Sequence, residues 1–385
     1  MSVVTIALFV VGFVLLVVGA EVLVRGASKL AIAAGLSPLV VGLTVVAYGT
    51  SAPELAVSLR SSFSGEADLA IGNIIGSNIA NILLILGISA TVSPLFVAKQ
   101  LVRLDVPLMI GASVLMLLMG IDGRIGRVEG GFLVLGAIAY TVFTLYQCRR
   151  ENQKEEQAKF QEERDAQHFP SVDLSDIPTP EPRRQKNSNP LVQIGSPLVV
   201  MIIGIVLLVL GAEWMVDGAI AVAEYFGISQ LVIGLTIVAI GTSLPEIATS
   251  IAAILKGERD MAVGNAVGSN IFNILLVIGI CSVVTPGGIE VASSAIRFDM
   301  PIMIAVAVAC LPIFFTGYMV LRQEGLLFLA YYVSYTLYLF LYATEHDALE
   351  EYSLVMAVFV VPITLLTLVG LAIQAWRHGH REHRD

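Results

Sequence analysis

The chain has 385 residues, of which 56% are hydrophobic and only 14% are charged, and its mean hydropathy is +0.84. In a soluble globular domain about a quarter of the residues are usually charged. This composition therefore excludes an ordinary soluble protein and indicates a polytopic membrane protein. The net charge of −9 says little about partners, because the charges lie in a few loops. The sequence contains no basic cluster interleaved with aromatic residues, so we expect no nucleic-acid partner.

Eleven stretches are apolar and long enough to cross a membrane, which takes about 20 residues. They are predicted at 3–24, 36–59, 69–93, 104–121, 130–147, 195–222, 228–255, 261–285, 298–317, 325–343 and 353–376. Between the fifth and sixth stretches the chain is rich in Glu, Gln, Arg, Asp and Pro, which predicts a linker that is helical at its start and otherwise loose. The predicted organisation is a first five-helix repeat at 1–148, a cytoplasmic linker loop at 149–194, a second five-helix repeat at 195–343, and an extra membrane helix with a basic tail at 344–385.

The two halves repeat each other in sequence. Residues 49–81 read GTSAPELAVSLRSSFSGEADLAIGNIIGSNIAN and residues 241–273 read GTSLPEIATSIAAILKGERDMAVGNAVGSNIFN, with 18 of 33 positions identical at a constant offset of 192. Each repeat has an odd number of helices, so the second repeat must enter the membrane from the opposite side. The predicted fold class is therefore an all-α polytopic membrane protein of two inverted five-helix repeats plus a C-terminal helix, an architecture typical of transporters.

The distribution of Lys and Arg predicts the orientation, since cytoplasmic loops carry the excess of positive charge. With the N-terminus outside, 18 of the 22 Lys and Arg residues fall on the inner side and four on the outer side. The linker loop and the basic C-terminal tail are then cytoplasmic. We expect an integral protein of the cell (plasma) membrane.

The repeated motif places polar groups in an apolar helix. Thr50, Ser51 and Glu54 are spaced so that Thr50 and Glu54 share one helical face, with Ser51 beside them. Pro53 removes one helical hydrogen bond, which predicts a kink or break and free backbone carbonyls near Gly49. Irregular backbone at membrane depth is tolerated only where it faces protein or a water-filled cavity. The second copy repeats the pattern with Thr242, Ser243, Pro245 and Glu246.

The next helix of each repeat carries a polar stripe. Asn73, Ser77 and Asn81 are spaced by four, and Asn265, Ser269 and Asn273 repeat them. Glycines beside each stripe, Gly72 and Gly76 in one copy and Gly264 and Gly268 in the other, predict close approach of a neighbouring helix. The donors are all hard oxygens, without His or Cys, and this set suits Ca²⁺, Na⁺ or Mg²⁺. One Ca²⁺ or two Na⁺ would neutralise the two carboxylates.

These paired GTS-x-PE and GN-xx-GSN-xx-N segments resemble the two alpha repeats of the sodium/calcium exchanger family, within the cation/calcium exchanger superfamily, of prokaryotic calcium/sodium antiporter type. The resemblance covers residues 3–343. It implies ions bound at the centre of the fold and antiport of Na⁺ against Ca²⁺. It also implies the ion ligands, which in the first repeat are Ala47 (through its carbonyl), Thr50, Ser51, Glu54, Ser77 and Asn81, and in the second repeat are Ala239, Thr242, Ser243, Glu246, Ser269 and Asn273.

Other polar residues have simpler interpretations. Glu21 is expected to pair with Arg25, four residues on. Asp105 and Asp299, each two residues before a proline, are expected to be helix N-caps. Asn73 and Asn265 are expected to tie helices together. Asn78 and Asn270 lie off the stripe and are expected to be structural.

The sequence thus predicts a secondary active antiporter that exchanges Na⁺ for Ca²⁺ by alternating access, and not an enzyme. An H⁺-coupled or K⁺-dependent Ca²⁺ exchanger is the alternative, although the amide at 273, where the K⁺-dependent branch has an Asp, argues against K⁺ coupling. The sequence lacks the motif that an intramembrane metal-dependent hydrolase requires. The broken helices and polar stripes also allow a passive cation channel, which saturable exchange would exclude. We expect no cofactor, with Ca²⁺ and Na⁺ as transported substrates, the lipid bilayer as surroundings and no evident protein partner.

Overall fold

The computed structural model describes residues 3–34, 36–63, 65, 67–166, 190–225, 236, 238–315, 317–360, 362, 364 and 370. The α-helices of the first half are α1 (Val3–Ala34), α2 (Pro38–Val41), α3 (Ala47–Thr50), α4 (Ala52–Phe63), α5 (Ala67–Ala80), α6 (Gly87–Val92), α7 (Val106–Gly120) and α8 (Arg127–Ala166). Wider π-helical turns at Gly42–Val46, Asn81–Leu86 and Leu101–Asp105 connect several of them into continuous membrane-spanning rods.

The second half repeats this order of elements. Its helices are α9 (Pro190–Tyr225), α10 (Ala239–Thr242), α11 (Leu244–Leu255), α12 (Arg259–Phe272), α13 (Gly279–Val284), α14 (Met300–Phe315) and α15 (Arg322–Ala343), and α16 (Ala348–Val355) follows. The π-helical turns recur at Asn273–Ile278 and Ala295–Asp299, and a further one follows α16 at Met356–Val360. The repeat predicted from sequence is therefore also a repeat of local backbone geometry.

Among the described residues, eight helices are long and apolar enough to cross a membrane. Two shorter apolar helices, Gly195–Gly211 and Leu244–Leu255, match the predicted sixth and seventh stretches. The predicted eleventh helix is helical as far as Val360 and otherwise lies largely outside the described residues. The start of the predicted linker is helical, because α8 continues to Ala166, and residues 167–189 lie outside the described part.

Two short strand pairs confirm that the repeats are inverted. Strand β1 (Leu95–Phe96) precedes α7 and pairs antiparallel with β4 (Met319–Val320), which follows α14. Strand β2 (Arg124–Ile125) follows α7 and pairs with β3 (Ile289–Glu290), which precedes α14. Each pair therefore joins the loop before this helix in one repeat to the loop after it in the other, which requires the equivalent helices α7 and α14 to run in opposite directions.

The first helices of the two halves, α1 and α9, pack antiparallel through glycines. A Cβ added to Gly19 would lie 2.8 Å from the backbone nitrogen of Leu208, and one added to Gly204 would lie 2.6 Å from that of Leu23. Gly26 meets Met201 in the same way, at 2.6 Å from its Cγ. Backbones approach this closely only where side chains are absent, as in many membrane helix pairs.

The outer surface of the bundle is largely apolar, and its interior contains polar side chains as well as a large set of apolar ones. On α8, for example, Leu135 is 65% exposed and Val142 is 62% exposed. On α5, by contrast, Asn73 and Ser77 are fully buried. This distribution suits lipid surroundings and a polar centre.

The N-cap prediction for Asp105 and Asp299 is wrong. Asp105 has helical backbone angles and no capping hydrogen bond, because the turn Leu101–Asp105 runs directly into α7. Its carboxylate instead accepts a hydrogen bond from the Tyr140 hydroxyl at 3.0 Å. The equivalent Asp299 accepts one from Tyr335 at 3.1 Å. Both residues are side-chain tethers between neighbouring helices. The predicted ion pair of Glu21 with Arg25 is confirmed, at 2.7 Å, and Lys256 joins it at 3.2 Å.

Candidate cation site

The predicted helix breaks are present in both repeats. Between α3 and α4, Ser51 has φ −80° and ψ 7°, outside the helical range, and between α10 and α11 Ser243 has φ −83° and ψ 2°. Pro53 and Pro245 lie in the first turn of the helix that follows each break, where the missing N–H is tolerated. Each break directs a serine and a glutamate toward the centre of the bundle.

The two glutamates are buried and bonded across the repeats. Glu54 and Glu246 both have zero exposure. The Ser243 hydroxyl donates to Oε1 of Glu54 at 3.4 Å, and the Ser51 hydroxyl donates to Oε1 of Glu246 at 3.3 Å. Among the described residues, neither carboxylate forms a salt bridge with Lys, Arg or His. Two buried negative charges without protein counter-charges are unfavourable, and bound cations or protons would relieve this cost.

The threonines of the broken helices also reach across. The Thr50 hydroxyl donates to Oδ1 of Asn265 at 3.2 Å, and the Thr242 hydroxyl donates to Oδ1 of Asn73 at 3.0 Å. Asn73 donates in turn to the Ser58 hydroxyl at 3.2 Å. Asn73 and Asn265 thus tie the helices of the two repeats together, as expected.

The two repeats differ in how the stripe serine is bonded. Ser269 donates to Oε1 of Glu246 in its own repeat at 3.3 Å. Its counterpart Ser77 lies 3.5 Å from the Ala239 carbonyl and 3.4 Å from the Thr242 hydroxyl instead. The half-sites therefore carry equal charge, but their hydroxyl groups are arranged differently.

Four oxygen atoms at this centre are buried and accept no hydrogen bond. They are the second carboxylate oxygens of the two glutamates and the amide oxygens of the two asparagines in the predicted ligand set, namely Oε2 of Glu54 and Glu246 and Oδ1 of Asn81 and Asn273. Buried polar atoms almost always have a partner, so each unsatisfied one needs an explanation. A bound hard cation would supply that partner, because carboxylate, amide and hydroxyl oxygens are the ligands such ions take.

Backbone carbonyls border the same place. The Ala47 carbonyl accepts from the backbone N–H of Ser51 at 3.0 Å, and the Ala239 carbonyl accepts from that of Ser243 at 3.2 Å. Each carbonyl also accepts from the threonine hydroxyl three residues further on, at 3.5 Å and 3.3 Å, so a cation bound there would replace that contact. A Cβ on Gly268 would lie 3.0 Å from the Ala47 Cβ, which shows how closely α12 packs on the first broken helix.

The structure brings all twelve predicted site residues into the buried region between the two broken helices and the helices that follow them. None is more than 4% exposed. Asn78 and Asn270, which the sequence predicts to be structural, lie in the same region. Asn78 accepts a hydrogen bond from Asn273, and Asn270 accepts one from Asn81. Both positions carry Asn at the offset of 192, and this repetition is the sequence feature that could have placed them at the centre. That the twelve residues bind ions stays a prediction.

The fold and this buried oxygen cluster define a polytopic helical membrane protein whose polar centre is shared between two repeats. The family model described as sodium/calcium exchanger protein matches residues 4–146 and 196–341. The sodium/calcium exchanger MaX1 of Methanosarcina acetivorans is 32% identical over 313 residues, covering 77% of this chain and 87% of the relative. The inner membrane protein YrbG of Escherichia coli (strain K12) is 37% identical over 267 residues, covering 69% of this chain and 76% of YrbG.

Among solved structures, the sodium-calcium exchanger NCX_Mj soaked with 2.5 mM Na⁺ and 0.1 mM Ca²⁺ is similar, with a TM-score of 0.67 and 30% identity. The match covers 86% of this chain and 97% of that chain. The chain belongs to the sodium/calcium exchanger family, as the resemblance of its repeats predicted. The family and the structural neighbours are transporters, so the expectation of a transporter rather than an enzyme is confirmed.

Proposed function

We propose that this protein is a secondary active antiporter that exchanges Na⁺ for Ca²⁺ across a membrane. The single observation that carries the proposal is the set of four buried, unsatisfied oxygens contributed by both repeats around two unpaired glutamates. Their combined charge of about −2 matches one Ca²⁺ or two Na⁺, so the same site suits either ion but is costly to leave empty. The relatives named sodium/calcium exchangers support the same pair of ions. The ions are cargo, and the proposal includes no resident cofactor.

The twelve predicted ligands divide into two crosswise half-sites. Each half-site combines a glutamate of one repeat with the break serine of the other, since Ser243 bonds Glu54 and Ser51 bonds Glu246. A cation held there makes contacts with both repeats at once. Movement of one whole repeat relative to the other would therefore break these contacts. We assign the change of access instead to the α1–α9 pair, one helix from each repeat, sliding against the rest of the bundle.

The orientation is proposed from charge. The end of the bundle that carries the β1–β4 pair also carries Arg259, whose guanidinium donates to the Pro94 carbonyl at 3.4 Å, and Arg322, which donates to the Val92 carbonyl at 3.4 Å. The excess of Lys and Arg supports placing this end in the cytoplasm. The N-terminus is then outside and the linker loop inside, in the cell membrane.

Flux in proteoliposomes tests the coupling. An outward Na⁺ gradient, with Na⁺ inside the vesicles, should drive uptake of radioactive Ca²⁺, and an imposed pH or K⁺ gradient alone should not. The H⁺-coupled alternative predicts uptake with a pH gradient in the absence of Na⁺, and the K⁺-dependent alternative predicts Na⁺-driven uptake only when K⁺ is present. Glu54→Gln and Glu246→Gln should each abolish uptake, and the proposal is wrong if both variants transport like wild type.

A further inference from the structure

Four asparagines form a bonded cluster between the ends of α5 and α12. Asn78 and Asn81 come from the first repeat, and Asn270 and Asn273 come from the second at the same offset of 192. All four are at most 3% exposed. Only Asn81 and Asn273 belong to the predicted ligand set, so the other two call for an explanation of their own.

Each predicted ligand amide donates to an off-stripe asparagine of the opposite repeat. The amide nitrogen of Asn81 donates to Oδ1 of Asn270 at 2.9 Å, and that of Asn273 donates to Oδ1 of Asn78 at 3.1 Å. An Asn side chain has its nitrogen and oxygen on opposite branches. Once the nitrogen is held on one side, the oxygen faces the other, and in both residues it is an oxygen without a partner.

The off-stripe asparagines are themselves held in one orientation by methionines. The amide nitrogen of Asn78 donates to the Met303 sulfur at 3.4 Å, and that of Asn270 donates to the Met109 sulfur at 3.4 Å. A thioether sulfur accepts weakly and cannot donate. Turning either amide over would place its oxygen against a sulfur that has no hydrogen to give, so the nitrogen stays on the methionine and the oxygen on the ligand amide.

A further bond makes the cluster rigid across the two repeats. Asn270 also donates to the backbone carbonyl of Asn78 at 3.2 Å. The order of contacts is thus methionine, off-stripe asparagine, ligand asparagine, and then the amide oxygen without a partner. This order occurs twice, with the roles of the two repeats exchanged. Outer partners of this kind orient the groups that contact a metal ion and commonly change its affinity by roughly 10–100-fold when they are removed.

We infer that Asn78 and Asn270, fixed by Met303 and Met109, are positioning residues that turn the amide oxygens of Asn273 and Asn81 toward the transported cation. The inference rests on the proposed cation site and adds its second layer. It assigns a specific task to two residues outside the predicted ligand set. Because each positioning residue serves a ligand of the opposite repeat, ion affinity depends on how the two repeats are docked.

Ca²⁺ binding to the detergent-purified full chain, measured by isothermal titration calorimetry, tests the inference with a double-mutant cycle. Asn78→Leu removes the acceptor at similar volume and should weaken Ca²⁺ affinity by roughly 10–100-fold. In an Asn273→Ala background the same change should cost nothing further, because there is no amide left to position. An equal loss in both backgrounds, or no loss in either, overturns the inference.

Two variants guard against loss of fold. Asn78→Asp keeps an acceptor oxygen in the same place and should bind Ca²⁺ far more tightly than Asn78→Leu, whereas a matching loss contradicts the inference. Ser113→Ala removes a buried hydroxyl that bonds only its own helix in the described contacts, at the Met109 carbonyl, and is the control for general destabilisation. It should keep wild-type affinity.

The same titration separates this inference from the proposed function. Wild-type Ca²⁺ binding that follows the cycle, without Na⁺-driven uptake, supports the positioning role and refutes the Na⁺ coupling. Na⁺-driven uptake with no coupling between positions 78 and 273 does the reverse. A wild-type protein that binds no Ca²⁺ refutes both.

Discussion

Replacing Glu54 by Gln should weaken Ca²⁺ binding much more than Na⁺ binding. The substitution keeps the shape and an oxygen that can still accept from Ser243, but it removes one of the two buried negative charges. A pair of unit charges 4 Å apart interacts by about 4 kcal/mol at an effective dielectric constant of 20. The double charge of Ca²⁺ doubles this term, so Ca²⁺ loses about 4 kcal/mol more than a single Na⁺ at the same distance from Glu54 does.

That difference corresponds to a change of up to about a thousandfold in the preference for Ca²⁺ over Na⁺, since each 1.4 kcal/mol is a factor of about ten. The glutamine oxygen and solvent entry recover part of it, so we expect a change between about tenfold and a thousandfold. The assay is displacement of bound radioactive Ca²⁺ by Na⁺ in purified protein. Glu21→Gln is the matched control, because Glu21 is a half-exposed carboxylate already paired with Arg25. Equal weakening of both ions by Glu54→Gln, or an equal effect of the control, would refute the electrostatic reasoning.

Two further predictions concern packing and burial. Gly204→Ala should lower the free energy of unfolding by roughly 1–3 kcal/mol, because the new Cβ would lie 2.6 Å from the backbone nitrogen of Leu23. The control is Gly131→Ala, at a helical position with open space around it, which should be neutral or stabilise by up to about 1 kcal/mol. Thermal unfolding in detergent compares the two variants. A similar loss in both variants would show that α1–α9 contact is not the cause. Tyr140→Phe should destabilise by about 1–3 kcal/mol, since it removes a hydrogen bond from the buried carboxylate of Asp105; an unchanged melting temperature would contradict the tethering role.

Much of this molecule could be predicted because the same information is present twice. The offset of 192 between Glu54 and Glu246 predicts a site shared by both repeats, and helix parity predicts the inversion that the β1–β4 and β2–β3 pairs confirm. Pro53 and Pro245 located the helix breaks, since proline acts through local covalent geometry. Features set by local chemistry or by duplication were thus accessible from sequence.

Features that depend on contacts between the repeats were not accessible from the sequence. Nothing in the sequence says that Ser51 serves the glutamate of the other repeat, or that Ser77 and Ser269 bond differently. Asp105 fits the N-cap pattern locally, but a π-helical turn carries the helix through it and Tyr140 captures its carboxylate. In each case tertiary packing overrides a local preference.

The off-stripe asparagines are a second example of a role that the sequence of one helix does not predict. On a single helix Asn78 points away from the stripe of Ser77 and Asn81, so helical geometry alone makes it structural. Only the docking of α5 on α12 brings its oxygen to the amide of Asn273. The role of such a residue follows from the partner repeat, which one helix cannot reveal.

The most direct test of the proposed cation site is a crystal structure of the protein with Ca²⁺, located by its anomalous scattering. We expect one Ca²⁺ between the broken helices, with oxygens of Glu54 and Glu246 at about 2.3–2.6 Å and the Asn81 or Asn273 amide oxygen in its coordination shell. Ca²⁺ found only elsewhere, with both glutamates outside its coordination shell, would contradict it.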